Sequence, residues 1–444
     1  MIKKILFLTA YFLLPVILIF AIFSSNPSYY GASGFVPLVL GATAFTLLNM
    51  QLILSARPKW IEKHFGLDKF YQFHSIIAVI AIIAAFIHKL IQGGIFPETF
   101  KTQLGDIAIG IFIFAAVMSL VFMADTLSRL VKPIRTFRDY FLKWKFTKHN
   151  IELLLHNITL VAVVLIFIHV ILSSSAQNLL VKSLYILYFG TAVVFYLYHK
   201  FIRKHLNRSS FTIENVIRES DSMTTLVLRP KTGKVFNYIP GQFGFLRIKD
   251  AALSQEEHPF SITSSPQNRQ NVSVTIKSLG DWTSCIKSVQ TGSHASFDAP
   301  YGRFSPDFYS CDDGIVLIAG GVGITPMLSI LRSYAETAKE QKIMLIWGLR
   351  NRNEMICAED FNNIQKAMPN FSFVPVLSGD PDFQGEKGHI SKDLIQRKIE
   401  ENGLEISKLH FFFCGPPPMW PPIKESLTSL NVEQHMIHRE NFAL

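Results

Sequence analysis

Four histidines lie inside two apolar stretches, and their spacing is the first feature with chemical content. His74 and His88 stand fourteen residues apart within 71–91, and His156 and His169 stand thirteen apart within 151–172. On a helix rising ~1.5 Å per residue, the members of each pair are separated by roughly 20 Å along the axis. A hydrocarbon core ~30 Å thick then receives one imidazole towards each face. Ionisable side chains at that depth are expensive to bury and mark function. Two such helices side by side offer two imidazole pairs, one above the other, each able to clamp a haem iron from both sides. Fourteen residues return to within ~40° of the starting face, whereas thirteen land ~140° away on a straight helix. The second helix is therefore expected to be tilted or locally irregular, or to carry its haems on different sides.

These stretches belong to a chain of 444 residues with 49% hydrophobic residues, 38 Phe and mean hydropathy +0.28. That is too apolar for an ordinary soluble enzyme, yet 17% charged residues is too many for an all-membrane protein. Position reconciles the two. Apolar runs of spanning length occur near 4–23, 35–56, 71–91, 105–124, 151–172 and 179–199. The first has too long an apolar core for a secretory signal and reads as a retained helix. The loop at 57–70 carries Arg57, Lys59, Lys63 and Lys69. The loop at 125–150 carries Arg129, Lys132, Arg135, Arg138, Lys143, Lys145 and Lys148. The loops at 24–34 and 173–178 carry no cation, and 92–104 only Lys101. The positive-inside rule puts both termini on the cytoplasmic side of the cell membrane. His74 and His156 then pair near the cytoplasmic face, and His88 and His169 near the outer face.

The net charge of +10 is largely this topology signal. No aromatic–basic interleaving marks a nucleic-acid surface. Four cysteines without a CxxC or close spacing exclude a disulfide framework and suit a reducing compartment.

From about residue 208 the texture changes to short alternating strands separated by turn residues, the pattern of a small antiparallel barrel. It contains His258-Pro259-Phe260-Ser261-Ile262-Thr263, in which a strand hydroxyl can donate to a flavin ring nitrogen. Lys277 and the turn Gly280-Asp281-Trp282-Thr283 follow; an ammonium and Gly-initiated backbone N–H groups suit a pyrophosphate. After Pro306, buried strands alternate with helices, as in an open parallel α/β sheet. Its first turn, Gly320-Gly321-Val322-Gly323-Ile324-Thr325-Pro326, follows a strand and opens a helix. Thr325 is expected to cap that helix and Pro326 to occupy its first position, with a phosphate at the N-terminus. Arg350 ends the next strand, where a cation suits an adenosine 2′-phosphate. Cys414-Gly415-Pro416 ends a late strand, where a thiol can face a nicotinamide or simply be a small buried residue.

Taken together, the 14 and 13 histidine spacings, HPFSITSSP, LGDWT, AGGVGITPM, CGPPP and the terminal Glu440-Asn441-Phe442 resemble the ferric reductase and NADPH oxidase family, in its bacterial form, over nearly the whole chain. The resemblance implies a six-helix membrane bundle (1–205) holding two b-type haems. It also implies a cytosolic ferredoxin–NADP reductase-like module: an antiparallel β-barrel FAD domain (206–308) and an α/β NAD(P)H domain (309–444). By the same resemblance His74, His88, His156 and His169 are iron ligands. His258, Pro259, Phe260, Ser261, Thr263, Lys277, Gly280, Trp282 and Thr283 belong to the flavin site. Gly320, Gly321, Gly323, Thr325, Pro326, Arg350, Gly415 and Pro416 belong to the pyridine-nucleotide site, with Cys414 facing the nicotinamide. Phe442 stacks on the isoalloxazine, although Ala443 and Leu444 follow it here.

The implied activity is transmembrane electron transfer from NADPH or NADH through FAD and two haems to an outer one-electron acceptor. That acceptor is O2, giving superoxide, or alternatively a ferric or cupric chelate. The superoxide-forming oxidases carry a second outer histidine one turn after the outer ligand of the third span and an arginine in the second span. Gln92 holds the first position here, and the second span has no internal cation. Two rival readings are a flavoreductase with a haem-free membrane anchor and a nucleotide-regulated permease or proton channel using the histidines as relays.

Overall fold

The computed structural model describes residues 2–25, 32–56, 58–93, 99–123, 136, 148–203, 209–251 and 253–440. It divides into two compact units, residues 1–203 and 204–444. The expected cation-rich loop at 125–150 lies outside the described residues apart from 136 and 148–150.

The first unit is helical: α1 (Ile2–Ser25), α2 (Ala32–Ser55), the short α3 (Lys59–Phe65), α4 (Leu67–Gly93), α5 (Phe100–Met123), α6 (Lys148–Ile171) and α7 (Leu179–Leu197). Among the described residues, five stretches are long and apolar enough to cross a membrane: Lys4–Ser25, Gly34–Ser55, Lys69–Gln92, Phe100–Ser119 and Leu179–Ile202. The described apolar part of α6, Asn157–Ile171, is shorter. Apolar side chains cover these helices on all sides, so Ile76, Val79, Ile80 and Ile83 of α4 face outward, as lipid-facing residues do. Some polar residues are satisfied within their own helix, as Thr46 and Ser25 are by donating to the carbonyls of Ala42 and Ala21; others reach a neighbouring helix, as Gln51 Nε2 does in donating to the Tyr11 hydroxyl. α2 is the central helix, packing on α1, α4 and α7, while α5 packs on α6. Ala44, Ala84 and Ala85 let backbones approach closely. Asn178 caps α7, its Oδ1 accepting from the N–H groups of Leu180 and Val181.

The second unit holds two six-stranded sheets. The first comprises β1 (Ser209–Arg218), β2 (Met223–Pro230), β3 (Phe243–Lys249), β4 (His258–Ser261), β5 (Val272–Lys277) and β6 (His294–Tyr301). Their order is β4-β3-β6-β1-β2-β5, with antiparallel pairing throughout. An Ile262–Val274 bridge brings the chain after β4 against β5 and nearly closes the sheet into a barrel. β6 alternates half-buried and buried residues along its length, a period-two pattern that its Ser, Asp and Pro content disguises in the sequence.

The second sheet comprises β7 (Ile315–Gly320), β8 (Ile343–Leu349), β9 (Phe371–Leu377), β10 (Glu386–Lys387), β11 (His410–Cys414) and β12 (Ile437–Glu440). All neighbours are parallel, in the order β10-β9-β8-β7-β11-β12. The connecting helices are α8 (Thr325–Thr337), α9 (Ala358–Ala367), α10 (Lys392–Glu401) and α11 (Trp420–Ser429). β7, β8 and β11 are buried nearly end to end, because helices cover both faces of a parallel sheet. The order reverses between β7 and β11. Ligands of such sheets bind at the carboxyl ends of the strands beside that switch point, where Gly320 and Cys414 stand.

Candidate functional site

In the barrel, β4 carries His258, Pro259, Phe260 and Ser261, and the chain behind it is buried. Ser261 is 4% exposed, and its Oγ has no hydrogen-bond partner within the protein. A buried hydroxyl left unpaired costs about 1–3 kcal/mol, so its placement calls for an outside partner. Beside it Phe260 stacks on Trp282 (centroids 5.8 Å, 21°), and the His258 ring lies 4.4 Å from Trp282. The indole N–H is anchored on the Ser254 carbonyl. Thr263 behaves differently. Its hydroxyl meets Ser273 Oγ at 3.0 Å and Thr275 at 3.5 Å in the barrel core, and its carbonyl accepts from Arg332. Thr283 also turns inward to the chain, its Oγ1 accepting from the N–H groups of Leu279 and Gly280 at 2.9 Å. Two N–H groups of the Gly280 turn are thus committed to holding the turn itself. Tyr238, whose hydroxyl donates to Ser264, braces the loop after β4; burial pushes its phenol up to about 12.

At the switch point, Gly321 adopts φ +51°, the left-handed region that favours glycine. Gly323 is pressed onto the end of β11: a β-carbon there would stand 2.0 Å from the Cys414 carbonyl oxygen. Gly320 and Gly415 are also in tight approach, a β-carbon on Gly320 falling 2.5 Å from Met419 Sδ and one on Gly415 3.1 Å from Gly320 N. Four glycines therefore let two crossover loops meet backbone to backbone. The expected cap differs in detail. α8 begins at Thr325 itself, whose hydroxyl donates backwards to the Val322 carbonyl, and Pro326 follows at the second position. A loop this tight leaves no room for the extended residue that a side-chain cap requires.

Arg350 extends from the end of β8 into solvent, and no carboxylate reaches its guanidinium among the described residues. Cys414 is fully buried, and burial raises its thiol well above the usual range, so its sulfur is protonated at neutral pH. Lys277 ends β5, yet its ammonium lies over the nucleotide turn, 3.9 Å from where a Gly321 β-carbon would be. The pyrophosphate role expected for it on the flavin side thus has a competitor at the nucleotide turn. α8 carries residues that sequence reasoning missed. Ser329 donates to the Ser264 carbonyl at 2.7 Å, and Arg332 bonds both the Thr263 carbonyl and Asp360. These polar residues on a core-facing helix were the available signal.

In the helical unit, His88 and His169 face one another edge to face, centroids 6.5 Å apart and planes at 85°. His88 Nδ1 bonds the Pro37 carbonyl of α2 at 2.8 Å, and His169 Nδ1 bonds the Lys101 carbonyl of α5 at 2.6 Å. A carbonyl only accepts, so each Nδ1 carries the proton and each Nε2 keeps a lone pair for a metal. The two supports repeat one device: four residues after each carbonyl comes a glycine against the ring. A β-carbon on Gly41 would come 2.9 Å from the His88 ring, and one on Gly105 3.2 Å from the His169 ring. His74 is half-buried on α4; the side chain of His156 and all of Phe442 lie outside the described residues.

Two family models match the second unit: an FAD-binding domain over residues 207–336 and an oxidoreductase NAD-binding domain over residues 317–425. The chain carries an FAD- and NAD-dependent oxidoreductase module. Similar curated proteins include a flavohemoprotein of Bacillus anthracis, 26% identical over 244 residues, and one of Rhizobium meliloti, 28% identical over 244 residues. Each match takes in 52% of this chain and 60% of the relative. A solved ferredoxin NADP+ reductase from Neisseria gonorrhoeae with bound FAD and NADP superposes with TM-score 0.46 at 21% identity, over 53% of this chain and 99% of that one. Within the FAD-binding domain, the unpartnered Ser261 hydroxyl and the aromatic wall of Phe260, Trp282 and His258 fit a flavin ring. Within the NAD-binding domain, the Gly320–Gly323 turn fits a dinucleotide phosphate.

Proposed function

We propose that this oxidoreductase module feeds a membrane-spanning electron path. Electrons from cytosolic NADPH or NADH pass to a one-electron acceptor outside, O2 giving superoxide, with FAD and two b-type haems as carriers. When bound, the flavin supplies the conversion of a hydride pair into single electrons and the haems supply the one-electron path. The observation that carries this reading is the outer histidine pair. Two metal–nitrogen bonds of about 2 Å, plus the distance from each nitrogen to its ring centre, put ring centres roughly 6 Å apart across one iron. The 6.5 Å separation of the His88 and His169 rings fits. Both rings are fixed in the tautomer a metal needs, and glycines clear the space they occupy. His74 and His156 would hold the second haem at the cytoplasmic face.

The chain's own residues set the direction. Ser261 orients the flavin, the Gly320–Gly323 turn holds the nucleotide phosphates and Arg350 offers a cation for a 2′-phosphate. The five long apolar helices and the apolar α6 support a six-span bundle in the cell membrane, and the cations at 57–70 and 125–150 support cytoplasmic termini. An iron held by both His88 and His169 would keep no open position for a ligand, so the group would supply electrons to the acceptor without binding it. A second reading keeps the same path but ends on a ferric or cupric chelate; Gln92, in place of the oxidases' extra histidine, favours it.

The test is a reduced-minus-oxidised spectrum of membranes containing the protein. Two bis-histidine b-type haems reducible by NAD(P)H are expected. Absence of haem overturns the proposal and leaves a flavoreductase with a membrane anchor. Superoxide-specific dye reduction against ferric-chelate reduction then separates the two acceptors.

A further inference from the structure

The ammonium of Lys277 has a carboxylate neighbour where a nucleotide phosphate would be expected. Glu354 Oε1 lies 3.6 Å from Lys277 Nζ, with the two side chains 24% and 22% exposed. That separation exceeds the 2.7–2.9 Å of a charge-assisted hydrogen bond, so the pair is loose and exchangeable. The other carboxylate oxygen is held better: Glu354 Oε2 accepts from the Arg350 N–H at 3.1 Å. Glu354 is thus tethered to the end of β8, with one oxygen turned towards the cation that overlies Gly321. The Gly321 carbonyl is itself fixed by the Trp347 indole N–H at 2.9 Å, so the turn under the ammonium is rigid.

We propose that Glu354 is a built-in competitor for the phosphates of NAD(P)H: it pairs with Lys277 and must give that cation up for the nucleotide's phosphates to take it. The inference rests on nucleotide binding at the Gly320–Gly323 turn and assigns that site an affinity-setting residue. Two consequences follow from charge alone. A bound pyrophosphate brings negative charge towards a carboxylate, which weakens binding. Removing the carboxylate's charge frees Lys277 and strengthens binding. Glutamine preserves the acceptor oxygen for the Arg350 N–H, so Glu354→Gln isolates the charge from the loop's support.

The experiment uses the full-length, flavin-loaded protein with a soluble dye as acceptor, so that haem chemistry does not enter. For a half-buried pair, E354Q is expected to lower KM for NADH or NADPH about threefold to tenfold and the inhibition constant of inorganic pyrophosphate in parallel, with kcat little changed. In a K277Q background the same substitution should give a clearly smaller gain, because only the direct repulsion between phosphate and carboxylate then remains to be relieved. Glu354→Asp, which withdraws the carboxylate from Lys277, should lower KM in the same direction and serves if E354Q does not accumulate. An unchanged or higher KM, or a gain undiminished without Lys277, overturns the inference while leaving nucleotide oxidation by the wild type intact. A wild type that oxidises neither nucleotide overturns both.

Discussion

A β-carbon on Gly323 would stand 2.0 Å from the carbonyl oxygen of Cys414, so the turn after β7 and the end of β11 touch backbone to backbone. Neither side of that contact is a flexible side chain. Gly323→Ala should therefore move the nucleotide turn as a unit, costing about 1–3 kcal/mol as overpacking does. The melting temperature should fall and KM for NAD(P)H rise, with flavin content retained. Gly280→Ala, where nothing lies within 4 Å, is the control and should change neither.

Ser261→Ala removes a buried hydroxyl that no protein group satisfies. Stability of the flavin-free protein should hold or rise slightly, because an unpaired polar group is lost. Flavin reduction by NAD(P)H in rapid-mixing absorbance should slow about tenfold, the equivalent of one hydrogen bond to the ring. Haem absorbance should stay at the wild-type level. A variant that lost haem instead and kept its flavin kinetics would contradict the assignment of this strand.

His169→Ala leaves the His88 ring without its edge-to-face neighbour. If the proposed path holds, membranes carrying the variant should lose about half of the b-type absorbance, as one of its two proposed bis-histidine sites is removed. Reduction of the outer acceptor should vanish while NAD(P)H-to-dye turnover continues. Gly41→Ala should give a milder form of the same defect, since the ring at 2.9 Å must be displaced rather than removed.

Tyr238 supplies a pH signature. Burial raises its phenol from 10.0 to about 12, so the folded protein holds the proton more tightly than the unfolded chain. The stability this contributes is fully present below pH 10.0 and is lost as pH climbs towards about 12. Chemical denaturation across that window should show Tyr238→Phe flattening the alkaline decline relative to wild type. Parallel curves would mean the phenol is not protected.

Much of this protein is local and therefore legible in the sequence. Apolar runs of about 20 residues mark helices because a spanning segment must satisfy its backbone internally. Partial alternation in β1 and the buried runs of β7 and β8 announce an antiparallel and a parallel sheet, because side-chain period follows burial. The Gly320–Gly323 turn is visible because only glycine tolerates such approach. What tertiary structure decided is which polar atoms are left over. Ser261 ends β4 and Thr263 follows two residues later, and in the sequence they look equivalent as hydroxyl donors. Only the barrel's closure shows Thr263 engaged with Ser273 while Ser261 is unpartnered. Lys277 reads as a flavin-side cation until the fold brings Glu354 and Gly321 to its ammonium. The carbonyls of Pro37 and Lys101, which set the tautomers of His88 and His169, lie 51 and 68 residues from their partners. Spacing determines which face a residue occupies; hydrogen-bond satisfaction depends on neighbours distant in sequence, and so only the folded chain reveals it.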